Sequence, residues 1–91
     1  MTPRIVVVGS ANTDFVLTVP ALPSQGETVL GDQFRVVRGG KGANQAVAAA
    51  RAGAEVTMVG AIGDDELGSE ALAELAAEGI DTSHVARLEG V

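Results

Sequence analysis

Two groups of residues have the types and spacing to do chemistry. The first is Asn12 and Asp14, directly after the run Ile5-Val6-Val7-Val8-Gly9. Two residues apart in an extended segment, their side chains project to the same side. A carboxylate accepts several hydrogen bonds, and an amide both donates and accepts. The pair suits adjacent hydroxyl groups of a sugar. It equally suits a turn closed by its own Asx hydrogen bonds. The second group is Gly39-Gly40-Lys41-Gly42-Ala43-Asn44-Gln45-Ala46. Glycines let backbone approach a ligand closely, and a helix that starts here aims N–H groups and partial positive charge at it. Lys41 adds a full charge, and Asn44 in the first turn still reaches the loop. The plainer alternative is a tight strand-to-helix turn with a solvated lysine.

The elements that must position these residues can be read around them. Arg4 to Val8 is a continuous β-branched run, as in a strand covered on both faces. The run Phe15 to Val19 predicts a second strand, and Glu27–Leu30 and Gln33–Arg38 two more, in a half-exposed antiparallel piece. Pro20, Pro23, Ser24 and Gly26 punctuate the loop between. Alanine-rich 43–52 predicts a helix closed by Gly53. Glu55 to Ile62 reads as a buried strand. Asp64 or Asp65 caps a second helix, with Leu67, Ala71, Leu75 and Ala76 on its apolar face. Gly79 ends it, and 81–88 is a loop leading into a strand, with His84 an exposed loop residue. The order is that of an α/β fold: a βαβαβ unit with a β-rich insertion after its first strand.

Composition bounds the function. The chain has 91 residues, no cysteine and a formal net charge of -6. Without cysteine there is neither a disulfide framework nor a thiolate metal site. Six basic residues against twelve acidic ones argue against a nucleic-acid binder. No run approaches the ~18 apolar residues of a membrane span, and the N-terminal run is too short for a signal peptide; a cytoplasmic protein is expected. Its two aromatics, Phe15 and Phe34, leave a thin core. Two helices hardly cover one face of a parallel sheet, and the chain stops at Glu89-Gly90-Val91 without a further helix, so a fragment is expected.

The glycine loop fits neither familiar nucleotide motif. Lys41 is followed by Gly42 rather than Ser or Thr, and Gln45 stands where the dinucleotide fingerprint needs a small residue. The loop, with Gly53 and Gly63 further on, instead resembles the N-terminal signature of the PfkB, ribokinase-like, carbohydrate kinases. Val8 to Asp14 and Leu22 to Thr28 extend the resemblance across nearly the whole chain.

The resemblance implies a three-layer α/β/α sandwich, of which residues 1–91 are the N-terminal part, with a β lid over approximately 15–38. It implies transfer of the ATP γ-phosphoryl to a sugar hydroxyl, D-ribose to ribose 5-phosphate, with Mg2+ and K+ as further cofactors and a homodimer formed through the lid. The substrate-binding positions it carries over are Asn12, Asp14, Gly40, Lys41, Gly42 and Asn44. The catalytic aspartate, the ATP pocket and the metal sites are expected beyond Val91. The alternatives are a non-catalytic sugar-binding module, or another PfkB sugar kinase such as a fructokinase.

Overall fold

The computed structural model describes residues 2–89; Gly90 and Val91 of the terminal segment lie outside them. The β-branched run forms β1 (Arg4–Val8). It is followed by β2 (Asn12–Thr18), β3 (Gln33–Gly39), α1 (Lys41–Arg51), β4 (Glu55–Gly63), α2 (Glu66–Ala77) and β5 (Asp81–Leu88). β1, β4 and β5 make a parallel sheet in the order β1-β4-β5, while β2 and β3 form a separate two-stranded antiparallel ribbon. The α/β class and the βαβαβ order with an inserted β piece are as the sequence predicts.

One core serves both helices. Val7, Val56 and Met58 from the sheet pack with Ala43 and Ala46 of α1 and Leu75 of α2, and Met58 is fully buried. Alternation along β1 shows which face is covered. Val7 is buried, while Val6 is 64% and Val8 78% exposed. Both helices therefore lie on one side of the sheet, and the opposite face is bare among the described residues. Small residues on α1 make this possible, because they let the helix sit close to the strands. The two phenylalanines take no part. They sit on the ribbon, 60% exposed each, with ring centroids 5.6 Å apart.

The ribbon stands away from this body. The radius of gyration is 16.1 Å, where a compact chain of this length has about 12 Å. Its register runs from Asn12↔Gly39 to Thr18↔Gln33. Side chains alternate across it. Thr13, Phe15 and Leu17 share one face with Phe34, Val36 and Arg38; Asn12, Asp14 and Val16 share the other.

Several expectations need correction. Glu27–Leu30 is not a strand: the ribbon holds β2 and β3 alone, and the segment pairs with neither of their outer edges. β2 starts at Asn12 rather than Phe15, and α1 at Lys41 rather than Ala43. His84 lies on β5, exposed, paired with Val59. On α2 the buried stripe is Gly68, Ala71 and Leu75, with Leu67 and Ala76 exposed. Asp65 is the cap, accepting from Gly68 N at 2.8 Å, while Asp64 pairs with Arg87 of β5 at 3.1 Å.

Two carboxylates near the end of α2 tie stability to pH. Glu78 accepts a two-pronged hydrogen bond from Arg51, which holds its carboxyl below the ordinary carboxylate range. Asp81 is held low by the backbone N–H and then the hydroxyl of Ser83. Lowered values in the folded state mean stability that is present at neutral pH and lost as the pH falls through them. Thermal melts across the acid range should show a shallower acid loss in Glu78→Gln, Asp81→Asn protein, by a modest amount because both groups are exposed. An unaltered acid profile would remove these bonds from the pH response.

Candidate functional site

The two sequence-predicted groups meet where the ribbon joins the body. Period-two alternation puts Asn12 and Asp14 side by side on one ribbon face, and Asn12 Nδ2 donates to Asp14 Oδ1 at 2.8 Å. Both side chains are exposed. Across the ladder from Asn12 is Gly39, buried under the pair. A Cβ at Gly39 would lie 2.7 Å from Asp14 Oδ2 and 2.9 Å from Asn12 Nδ2, so only glycine lets the two polar groups lie over the β3 backbone. Asp14 Oδ2 has no donor among the described residues. The Asx-turn alternative is set aside, because Asn12 and Asp14 lie within the paired strand.

The glycine loop is packed closely against the turn after β1. Gly40 has φ +96°, a conformation that glycine adopts without a Cβ penalty. A Cβ on Gly40 would stand 2.6 Å from the Ser10 carbonyl oxygen, and one on Gly42 would stand 2.8 Å from Gly9 C and Ser10 N. The post-β1 turn and the start of α1 are thus stacked backbone on backbone. Ala43 N–H donates to Ser10 O at 2.8 Å and fastens them. Gly40 and Gly42 place the helix end; the side chains there are those of Lys41 and Asn44.

That helix end is electropositive and open. α1 has no side-chain cap and no acidic residue in its first turn. The N–H groups of Lys41 and Gly42 meet no acceptor among the described residues, which leaves the positive end of the helix dipole uncompensated. Lys41 is exposed and makes no ion pair among them.

Asn12 and Asn44 line a common cavity of about 530 Å³ beside Gly39, walled by Ala43, Val47 and Leu75. Asp14 and Lys41 lie outside that lining. The site is therefore two polar edges around one base: a carboxylate–amide pair on the ribbon, and a cationic helix start below it. Such a surface offers acceptors and donors to a polyhydroxylated ligand.

Arg38 is the residue that sequence reasoning passed over. It was legible only as one of two basic residues in the ribbon segment. Its guanidinium reaches Glu70 and Glu74 of α2. The available signal was that pair of like charges one turn apart on a helix, an arrangement that is unfavourable without a cation.

Comparison with known proteins accords with this geometry. The family model for the pfkB family carbohydrate kinase matches residues 2–90. The chain is 54% identical over 82 residues to ribokinase of Bacillus subtilis, covering 90% of this chain and 28% of that protein. Among solved structures, ribokinase of Cryptococcus neoformans in complex with ADP superposes with a TM-score of 0.87 at 38% identity, over 98% of this chain and 28% of that one. Arabidopsis thaliana ribokinase complexed with ribose and ATP gives 0.86 at 35% identity, over 99% of this chain and 30% of that one. The chain spans less than a third of the length of these relatives. The chain belongs to the pfkB family of carbohydrate kinases.

Proposed function

We propose that this chain forms the sugar-binding side of an ATP-dependent ribokinase, which transfers the ATP γ-phosphoryl to the 5-hydroxyl of D-ribose. The observation that carries the reading is the Asn12–Asp14 pair held over Gly39 beside the open start of α1. The relatives' identity supports it, as does the Arabidopsis neighbour that holds ribose and ATP.

In this reading Asp14 accepts hydrogen bonds from neighbouring sugar hydroxyls, and Asn12 and Asn44 orient them. Lys41 and the free N–H groups of α1 attract the sugar oxygens. Phosphoryl transfer asks mainly for positioning and electrostatic stabilisation, and these residues supply the first on the sugar side. The ribbon acts as a lid that keeps water from the transferring phosphoryl group. Its apolar face, with Phe15, Leu17, Phe34 and Val36 exposed, is where a second copy would pair. ATP, Mg2+, K+ and the catalytic aspartate are assigned to parts of the parent protein outside the described residues.

A coupled assay of ADP formation tests the reading. The parent protein should consume ATP with ribose and more slowly with fructose, and the 91-residue chain should show no turnover. Equal rates on fructose would replace ribose as the substrate. Ribose binding by a parent that forms no ADP would make it a binding module.

A further inference from the structure

We infer that Arg38 is a positioning residue, which fixes the Asn12–Asp14 pair by clamping the base of the ribbon to α2. The inference rests on the sugar-site reading above and adds a residue to it.

Arg38 is the penultimate residue of β3 and stands directly opposite Thr13. Its Nη1 donates to Thr13 Oγ1 at 3.2 Å and its Nη2 to Glu70 Oε2 at 3.0 Å. Its Nε lies 2.9 Å from Glu74 Oε2, although that N–H is not aligned to hydrogen-bond and is shielded from solvent. One guanidinium therefore grips both ribbon strands and two successive turns of α2. No other ribbon side chain forms a hydrogen bond or ion pair with either helix among the described residues.

The geometry ties this grip to the site. Thr13 lies between Asn12 and Asp14, and Arg38 precedes Gly39, the residue over which the pair rests. Arg38 and Thr13 project to one face of the ribbon, and Asn12 and Asp14 to the other. The clamp thus sets the ribbon's height and tilt over the body at the edge of the cavity that Asn12 and Asn44 share, which Arg38 and Glu74 also line. Arg38 is only 27% exposed, so its charge is partly desolvated, and a planar fork with several donors holds orientation better than an ammonium. Without it, Glu70 and Glu74 repel each other one turn apart, and the ribbon loses its polar tie to α2 among the described residues. The apolar ends of the same face, Phe15 and Phe34, lie too far out and too exposed to replace that hold.

Steady-state kinetics on the full-length parent test this. Arg38→Ala should raise the ribose KM about tenfold, the scale of a misplaced binding group, with the ATP KM unchanged. Arg38→Lys should recover part of that loss, because it keeps one ion pair and loses the bond to Thr13. Glu70→Gln, Glu74→Gln protein, altered only on the α2 surface, should show a smaller rise of the same kind. Adding Arg38→Ala to it should cost no more than Arg38→Ala alone. A drop in melting temperature with an unchanged ribose KM in any folded variant would leave Arg38 a merely structural residue and overturn the inference. Should Arg38→Ala not fold, the lysine and glutamine variants carry the same KM readout. Asp14→Ala run in parallel separates the two readings. If that variant keeps its ribose KM, the sugar site itself is wrong; if it loses ribose while the Arg38 and glutamate variants do not, only the clamp is.

Discussion

If the parent protein is the ribokinase proposed above, replacing Asp14 with alanine should raise its ribose KM by about a hundredfold or more. Each hydrogen bond from a sugar hydroxyl to a carboxylate contributes roughly 1.5–3 kcal/mol, and in the proposed reading Asp14 accepts two. Losing both costs about 3–6 kcal/mol, which at ~1.4 kcal/mol per decade is two to four decades in affinity. The loss should be separable from folding. Asp14 is exposed, and its only hydrogen bond among the described residues is the one from Asn12, so thermal melts of the variant should stay close to the original. Asp14→Asn keeps one acceptor oxygen and should fall between. An Asp14→Ala enzyme with unaltered ribose kinetics would remove this residue from the site.

Asp14 was legible because its signal is local. Two polar residues two apart after a β-branched strand already imply a shared face, and the structure adds the bond to Asn12 and the floor at Gly39. The order of strands and helices was legible for the same reason: Ile5 to Val8, the alanine run of α1 and the cap at Asp65 are short-range features. What depends on pairing between distant segments was not. Glu27–Leu30 has the composition of a strand but pairs with neither outer edge of the ribbon. Phe15 and Phe34 have the bulk of core residues, yet the ribbon register sets them out in solvent. Arg38 meets Glu70, 32 residues on, and no periodicity within either segment announces that contact. The glycines of the Gly39–Gly42 loop were recognised, but the backbone they pack against lies about thirty residues earlier in the chain and leaves no local signal. Gly42 meets the backbone of Gly9 and Ser10, Gly40 that of Ser10 and Ala11, and Gly39 the side chains of Asn12 and Asp14.

That contact gives Gly42→Ala a large expected structural effect close to the candidate site. A methyl at Gly42 would lie 2.8 Å from three backbone atoms of Gly9 and Ser10, and backbone on both sides of the contact leaves nothing flexible to yield. The start of α1 must lift off the post-β1 turn, stretching the bond from Ala43 N–H to Ser10 O. Overpacking of this kind costs about 1–3 kcal/mol, sometimes more, and a domain of this size loses roughly 4–8 °C of melting temperature per kcal/mol. Because the same movement carries Lys41 and Asn44 away from Asn12, the ribose KM should rise in parallel. Gly53→Ala is the control that isolates space from backbone conformation. Gly53 has φ +99°, and a Cβ there would meet nothing within 4 Å, so alanine costs only the left-handed strain of about 1–2 kcal/mol, at the far end of α1. It should lower the melting temperature and leave the ribose KM alone. If Gly42→Ala were as mild as that, with ribose kinetics intact, the loop glycines would not be what seats the helix against the turn.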